Sequence, residues 1–567
     1  MSRLRRPFLG AGLAWGAFLL TAQAAAPEPP DPMRPIENRY ADLRQLQDSI
    51  DTAAARGLTR FSRELSLASA RQAYGVGWQA LNLALATPDV PSADADRLAL
   101  AAMRRSLQAS LTEADGTPGS TNKAARSAPC DYDVAALAKL GLAALQERMY
   151  DCYGRAAQTV RFDGRTLDRL TVLARLAETD DPGARKRLFM ALDPVWRSVN
   201  GDDSPRSAYR QMVHLSAAQW AAAGSPVDRN AAALGVDPAQ AEHWLVSVLE
   251  AWRDATPTQA FEPWDLHYRA GALARSLAKR IPRERLREIH DAFYRSLGAD
   301  PATLPIRYDL EPRAGKTPVA FTTFGLRPRQ RGATWTPGEA WVFATYRTGG
   351  IDNLVELLHE TGHAVHILAI HTRPAFADWP DSDTFTEGLG DLIALEAYEP
   401  AWQQRWLGAS APLADSLRAK YSSIVLDIAW ALFEIRMHRA PDSDPNQVWS
   451  DLTHEYLHVV RHPELSWWAL RGQLVDSPGY MMNYALGAIL VADLRQRCRE
   501  LRAPFERPDA GMYAWLTERL YRFGLEKTSR AVVEDFLGRE ISPQALIADL
   551  ERGRVGETPA PAPKPAR

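Results

Sequence analysis

The feature that most constrains this chain is a pair of histidines four residues apart, in His359-Glu360-Thr361-Gly362-His363. On a helix, residues at this spacing lie on one face, so both imidazoles can bind the same metal ion. Glu360 lies one residue off that face, where it does not ligate the metal but can reach a metal-bound water as a general base. The segment therefore predicts a helix that carries two zinc ligands and a base.

A third ligand is predicted at Glu387, 24 residues after His363, at the start of another apolar, helix-like run. Three protein ligands leave one coordination position open, which is typical of catalytic rather than structural zinc. Asp391 lies one turn after Glu387, where it is expected to accept an imidazole N–H and fix the tautomer of that ligand. We expect one Zn²⁺ per chain, held by His359, His363 and Glu387.

Both segments carry signals for helix ends. Asp352 is a candidate N-cap for the first helix, and Thr384 or Asp383 can cap the second. Gly362 allows close packing beside the metal. Pro400 follows the end of the second helix.

A second copy of the pattern, His454-Glu455-Tyr456-Leu457-His458, shows that the spacing can arise by chance. Beyond it, the nearest carboxylates are Glu464 and Asp476, and Pro463 breaks the chain in between. Without a third ligand, this copy is interpreted as a helical face with two surface histidines. A helical scaffold with an accidental motif is also the alternative for the first copy, but the presence of a third ligand argues against it.

Residues 350–400 resemble the angiotensin-converting-enzyme family of zinc peptidyl-dipeptidases, with its His-Glu-x-Gly-His form, its interval to the third ligand and its Glu-x-x-Gly-Asp block. Two strings resemble the related thimet-oligopeptidase family: Gly362-His363-Ala364-Val365-His366 and Gly479-Tyr480-Met481-Met482-Asn483-Tyr484. A weaker likeness covers about residues 170–535. The resemblance implies a mainly α, two-lobed peptidase with a deep central channel and zinc at its floor.

The activity that this resemblance implies is zinc-dependent hydrolysis of peptide bonds in short peptides. Glu360 would take the proton of the attacking water and return it to the leaving amine. By resemblance, Tyr484 is the first candidate for a donor to the oxyanion and Tyr480 the second. Core packing is the alternative for a tyrosine pair at this spacing.

Several positions depart from both families. The histidine that precedes the catalytic tyrosine is missing from residues 472–477, and Arg331 stands where the converting enzyme has a histidine. Asn483 occupies its chloride-binding arginine position. The groups that hold the substrate's C-terminal carboxylate are not recovered, although Arg471 or Arg331 could substitute. The cleavage mode is therefore open, and a zinc-bearing peptide-binding protein with weak or no catalysis is the alternative, against which Glu360 argues.

Long runs with 3.6-residue periodicity predict helices elsewhere, for example at residues 133–157, 167–197 and 239–255. The strand candidates are residues 319–323 and 341–346, just before the zinc helix. They predict a small antiparallel sheet whose edge could pair with a peptide substrate. The length of 567 residues and a hydrophobic content of 46% allow one large domain or two closely packed ones.

The N-terminus has the pattern of a secretory signal peptide. Arg3, Arg5 and Arg6 precede an apolar stretch at residues 8–20, and Ala22-Gln23-Ala24 is the predicted cleavage site, with Ala24-Ala25-Ala26 as the alternative. The stretch is too short for a transmembrane anchor. We expect residues 1–24 to be a signal peptide and the mature protein to be periplasmic or secreted from a bacterium. A twin-arginine export signal is the alternative to ordinary secretion.

Composition suggests the rest of the domain plan. Residues 25–35, with five prolines, are expected to be a linker, and residues 556–567 a disordered tail. The peptidase domain is predicted at residues 36–555, in which the helical residues 36–110 could form a lid. The net charge of −2 indicates no nucleic-acid surface, and no long apolar run remains after the leader to hold the chain in a membrane. The oligomeric state is not predicted.

Three cysteines allow at most one disulfide. Cys130 and Cys152 are the better pair, but an unbroken helix between them would hold them roughly 33 Å apart. Their pairing therefore requires a break, for which Gly141 is the candidate. Three free or buried thiols are the alternative.

Overall fold

The computed structural model describes residues 33–62, 65–85, 94–115, 130, 132–313, 316, 319–331 and 334–554. The predicted signal peptide, most of the predicted linker and the predicted tail lie outside the described residues. The chain is mainly helical, with small sheets, as the sequence predicts.

The first fourteen α-helices span the segments before the motif. They are α1 (Arg34–Ala55), α2 (Leu67–Leu85), α3 (Asp94–Asp115), α4 (Val134–Leu140), α5 (Leu142–Gln158), α6 (Arg169–Glu178), α7 (Pro182–Met190), α8 (Asp193–Asn200), α9 (Ala208–Ala223), α10 (Pro226–Ala233), α11 (Pro238–Ala255), α12 (Leu266–Ala270), α13 (Ala272–Leu277) and α14 (Leu286–Ser296).

The strands are short. They are β1 (Val160–Phe162), β2 (Arg165–Leu167), β3 (Ile306–Asp309), β4 (Phe321–Leu326), β5 (Arg329–Arg331), β6 (Thr334–Thr336) and β7 (Glu339–Phe343).

Ten further helices follow the strands and include both segments of the predicted zinc site. They are α15 (Ile351–Ala369), α16 (Asp383–Ala394), α17 (Pro400–Leu407), α18 (Leu413–Arg439), α19 (Pro445–Leu457), α20 (Gln473–Asp476), α21 (Met481–Leu501), α22 (Met512–Leu516), α23 (Ser529–Leu537) and α24 (Gln544–Glu551). Among the described residues, no helix combines the length and the apolar character needed to cross a membrane.

Two of the three long helical runs expected from periodicity are divided. Residues 133–157 form α4 and α5, which meet at Gly141, where φ is 109°. Residues 167–197 form α6, α7 and most of α8, and Pro182 begins α7 because proline is compatible with the first helical turn. The third run matches α11. Periodicity therefore predicted that these runs are helical but did not show where they are interrupted.

All three cysteines are free thiols, with Cys152 and Cys498 buried and Cys130 exposed. Burial, followed by the nearby Cys130 thiol, raises the pKa of Cys152 to about 12. The break that a Cys130–Cys152 pair requires is present at Gly141, although the bond is not formed.

The sheet beside the motif has three strands in the order β3-β7-β4. The β4 and β7 strands are antiparallel, with Phe321 opposite Phe343. This antiparallel pair is the one that the sequence predicts. The β3 strand, which was not among the strand candidates, pairs with β7 in parallel, with Ile306 opposite Ala340. Three other strands, β4 to β6, lie between β3 and β7 in the chain, so the connection is long enough for β7 to run parallel to β3. The pattern of residues within a strand does not reveal this direction.

The helix α1 is fixed to the body of the protein by buried ion pairs. Arg327 pairs with Asp48 of α1 at 2.5 Å and with Asp378 at 3.1 Å, and Arg44 of α1 pairs with Asp378 at 2.6 Å. Although burial opposes it, the two arginines lower the pKa of Asp378 to about 2. Within residues 36–110, the described residues form α1, α2 and α3, in agreement with the sequence, while their function as a lid stays a prediction.

Candidate metal centre

Two helices, α15 and α16, carry the residues predicted to bind zinc. The N-cap of α15 is Gly350, with φ of 107° and no side-chain cap, so Asp352 lies in the first turn, where its charge still favours the helix. The N-cap of α16 is Ser382, whose hydroxyl accepts a hydrogen bond from the backbone N–H of Phe385 at 3.3 Å. Both helices therefore begin before the candidate caps named from the sequence.

The three predicted ligands converge on one point. The Nε2 atoms of His359 and His363 are 3.0 Å apart, and Glu387 Oε2 lies 3.4 Å from the first and 3.8 Å from the second. Two nitrogens bound to one tetrahedral zinc at about 2.0–2.1 Å would lie roughly 3.3 Å apart. Two imidazoles and a carboxylate at this spacing fit a zinc ion, and this is the cluster that could hold a metal among the described residues.

Two glycines let the helices approach closely enough to form this cluster. A Cβ atom on Gly362 would lie 2.6 Å from the carbonyl oxygen of Gly390. A Cβ atom on Gly390 would lie 2.8 Å from Cε1 of His359 and 2.9 Å from Nε2 of His363. The sequence predicted the close packing at Gly362. It also contained the signal for Gly390, in the Glu-x-x-Gly-Asp block, but the contact with the ligands was missed.

Carboxylates surround the imidazole of His359. Its Nδ1–H donates to Oδ1 of Asp391 at 2.7 Å, the contact predicted from the one-turn spacing of Asp391 and Glu387. Burial alone would lower the pKa of His359, but Asp391 and Glu387 raise it well above its usual range. The two imidazoles lower the pKa of Glu387 despite its burial, so this carboxylate stays ionised. The cluster therefore favours positive charge at its centre.

Glu360 is buried beside the cluster and is held by a threonine from the sheet. The hydroxyl of Thr322 on β4 lies 2.8 Å from Oε2 of Glu360 and 2.8 Å from its backbone carbonyl oxygen, and it can donate to either. This contact orients the predicted base. Thr322 was missed, although it lies in the strand candidate at residues 319–323.

Tyr480 and Tyr484 line the same cavity as the predicted ligands His359 and Glu387, and its volume is about 260 Å³. Tyr480 is the N-cap of α21, and its ring centroid is 5.6 Å from that of Tyr484, which is 37% exposed. Burial, with Tyr484 and acidic neighbours, raises the pKa of Tyr480 to about 12, and burial also raises the pKa of Tyr484. Both phenols therefore keep their protons near neutral pH and can donate hydrogen bonds.

Arg471 also lies beside the tyrosines. Its guanidinium carbon is 4.8 Å from the ring centroid of Tyr484, and Nη2 pairs with Oδ1 of Asp427 at 3.1 Å. Burial raises the pKa of Asp427 to about 6, although Arg471 opposes the shift. Asn483 accepts a hydrogen bond from the hydroxyl of Thr384 at 3.3 Å. Arg331 ends β5, and its side chain lies outside the described part of the structure.

The second copy of the motif has a different local structure. The helix α19 ends at Leu457, and His458 is its C-cap with φ of 58°. The Nδ1–H of His454 donates to the carbonyl oxygen of Val459 at 2.9 Å, and the Nε2–H of His458 donates to that of Arg253 at 3.0 Å. The prediction of two surface histidines on one helical face is therefore wrong, because the second lies past the helix end and both are partly buried.

Comparison with known proteins gives matches among solved structures only. No protein-family model matches the sequence, and no curated protein matches it. The M32 carboxypeptidase from Deinococcus radiodurans R1 is 15% identical with a TM-score of 0.52, over 92% of this chain and 98% of that one. The chain shares the fold of this M32 carboxypeptidase.

Two further structures are similar. That of CHT is 13% identical with a TM-score of 0.53, over 92% of this chain and 99% of that one. Trypanosoma cruzi metallocarboxypeptidase 1 is 13% identical with a TM-score of 0.49, over 93% of this chain and 99% of that one. At these identities the likeness to the Deinococcus enzyme and to CHT establishes the fold alone. The finer resemblance to the converting-enzyme and thimet-oligopeptidase families stays a prediction.

Proposed function

We propose that this protein is a zinc metallopeptidase that hydrolyses peptide bonds in short peptides. The observation that carries the proposal is the convergence of His359, His363 and Glu387, whose ligand atoms lie within 4.8 Å of one another, beside the buried carboxylate of Glu360. A zinc ion bound there would supply a water of lowered pKa and polarise the substrate's carbonyl group. The fold, shared with a carboxypeptidase, supports the same reaction class.

The protein's own residues would move and hold the protons. Glu360, oriented by the hydroxyl of Thr322, accepts the proton of the attacking water and passes it to the leaving amine. The imidazole of His359 is held in one tautomer by Asp391. Tyr484 donates a hydrogen bond to the oxyanion, with Tyr480 as the second candidate.

We further propose that the cleaved bond is close to the substrate's C-terminus. Arg471 is a cation beside Tyr484, which lines the same cavity as His359 and Glu387, and its side chain is 24% exposed. A guanidinium can bind a terminal carboxylate through two parallel hydrogen bonds. The pairing of Arg471 with Asp427 holds it in place before substrate binds. Action on C-terminal residues, rather than release of a dipeptide, also agrees with the fold shared with an M32 carboxypeptidase.

The experiment that tests this function is digestion of a peptide set by the zinc-loaded protein, followed by mass spectrometry. Each peptide is supplied with a free and with an amidated C-terminus. We expect C-terminal trimming of the free acids, weak or no cleavage of the amides, and loss of all cleavage after chelation of zinc. Internal cleavage that ignores the terminus would contradict the C-terminal mode but not the peptidase assignment.

The absence of turnover, with zinc bound and peptides retained, would favour the alternative of a peptide-binding protein. Export to the periplasm or to the medium, directed by residues 1–24, completes the proposal. Secretion of a fusion that carries this segment would test it.

A further inference from the structure

The cavity lined by His359, Glu387 and the two tyrosines is called the zinc cavity here. A second cavity, of about 420 Å³, adjoins it. The two cavities share Asp427 of α18 as a lining residue. Its ion-pair partner Arg471 lines the second cavity, while the guanidinium of Arg471 lies over the ring of Tyr484, which lines the zinc cavity. The Asp427–Arg471 pair therefore stands at the boundary between them. A volume in the range of roughly 300–1,000 Å³ is typical of ligand sites.

Apolar side chains form most of the wall of this second cavity, and four of them are aromatic. They are Phe189, Tyr398, Trp430 and Trp467. The indole N–H of Trp430 already donates to the carbonyl oxygen of Trp468 at 3.0 Å, and its ring stacks on that of Trp449, so the part of Trp430 that reaches the cavity is apolar. Phe189 and Trp467 pack edge to face, with centroids 6.3 Å apart, and both are buried. Such a wall favours a flat apolar group over a polar one.

The charges on the cavity are balanced. Arg169 and Asp352 line it with opposite signs, and Arg471 is paired with Asp427. His267 also lines the cavity, and burial together with Arg169 lowers its pKa to about 4, so it is neutral near pH 7. A charged substrate side chain would therefore not be attracted by a net charge in this cavity. Binding of a neutral aromatic side chain would remove apolar surface of both the side chain and the cavity wall from water, which is favourable.

We propose that the second cavity receives the aromatic side chain of the substrate's C-terminal residue. The proposal rests on the proposed function, in which Arg471 binds the terminal carboxylate. Arg471 stands at the boundary between the two cavities. A substrate whose terminal carboxylate is bound to Arg471 therefore has the side chain of its C-terminal residue at the entrance of the second cavity. The protein is then selective for peptides that end in phenylalanine, tryptophan or tyrosine.

A series of peptides with a blocked N-terminus and a free C-terminus, which differ only in the C-terminal residue, tests this selectivity. We expect kcat/KM for a terminal phenylalanine to exceed that for alanine and for arginine by roughly tenfold or more, because a large apolar side chain is removed from water. Equal values, or a preference for arginine, would overturn the proposal while leaving peptide hydrolysis intact.

A pair of substitutions on α6 locates the selectivity. Ala174 lines the cavity and is exposed, so Ala174→Trp fills the space without disturbing the core. Glu178 is exposed on the same helix and does not line the cavity, which makes Glu178→Trp the matched control. We expect Ala174→Trp to lower the phenylalanine-to-alanine ratio of kcat/KM at least fivefold and the control to preserve it. An unchanged ratio in both variants would place the selectivity elsewhere and overturn the proposal.

Product binding separates this inference from the proposed function. N-acetylphenylalanine should bind the zinc-loaded protein roughly tenfold more tightly than N-acetylalanine or N-acetylarginine, as measured by calorimetry. Failure of all peptide hydrolysis would refute the function. Equal binding of the three products would refute the aromatic cavity, whether or not peptides are cleaved.

Discussion

The two His-Glu-x-x-His copies share a sequence pattern but not a structure. In the first copy, His359 and His363 both lie within α15, and their Nε2 atoms are 3.0 Å apart. In the second copy, the helix ends at Leu457, and the backbone of His458 has a left-handed conformation. The four-residue spacing places two imidazoles together only where the helix continues past the second histidine.

The surroundings of the two copies differ as much as their backbones. Glu387 and Asp391, both on α16, face the first copy, and glycines let the two helices approach. In the second copy, both histidines donate to backbone carbonyl oxygens instead. A metal motif therefore needs a partner element as well as a spacing.

The largest expected effect is loss of zinc from the first copy. His363→Ala removes one of three protein ligands, so metal analysis of the purified variant should show near-complete loss of zinc. His458→Ala is the matched control and should leave the zinc content at one per chain. If His458→Ala loses the metal and His363→Ala keeps it, the second copy and not the first binds zinc.

The next effect concerns the glutamate of each copy. Glu360→Gln should retain zinc and fold but lower kcat by about 10²–10⁴-fold, because an amide cannot accept the proton of the water. Glu455→Gln, at the exposed equivalent position, should have no effect on peptide turnover. Retention of most of the wild-type kcat by Glu360→Gln would exclude Glu360 as the base.

The first copy has two phenols on its cavity, and their removal should have a smaller effect. Tyr484→Phe should cost about 2.7–4 kcal/mol of transition-state stabilisation, as for other single oxyanion donors. The loss should be seen in kcat with little change in KM. Tyr480→Phe is the comparison on the same fluorogenic peptide. A larger loss there would transfer the assignment to Tyr480, and no loss in either would remove both from the mechanism.

The smallest expected effect is on zinc affinity, when Asp391, the carboxylate that accepts a hydrogen bond from the ligand His359, is replaced. Asp391→Asn should weaken zinc binding about 10–100-fold, since His359 loses the anion that orients it. Asp451, three residues before His454, provides the control, and Asp451→Asn should leave the zinc affinity unchanged. Competition with a chelator would measure both, and equal affinities for the two variants would show that Asp391 is dispensable.

Part of the fold could be predicted because local patterns carry it. The 3.6-residue periodicity indicated a mainly helical chain, and α11 matches its predicted run. Periodicity did not predict the division at Pro182, and Gly141 was named as a break only because a Cys130–Cys152 disulfide would require one, since a periodic apolar face continues across a break. The parallel pairing of β3 with β7 could not be predicted, because strand partners far apart in the chain leave no mark in either strand.

The sequence by itself determined the chemistry of the site. It contained His359, His363 and Glu387 in a spacing that a helix pair can bring together, and Asp391 one turn beyond. The tertiary structure decided the rest. It brought Thr322 from a separate strand to Glu360, seated Gly390 against both imidazoles, and ended α19 before His458. The physical reason is that spacing along one helix is a local property, whereas the approach of two elements and the end of a helix depend on packing across the chain.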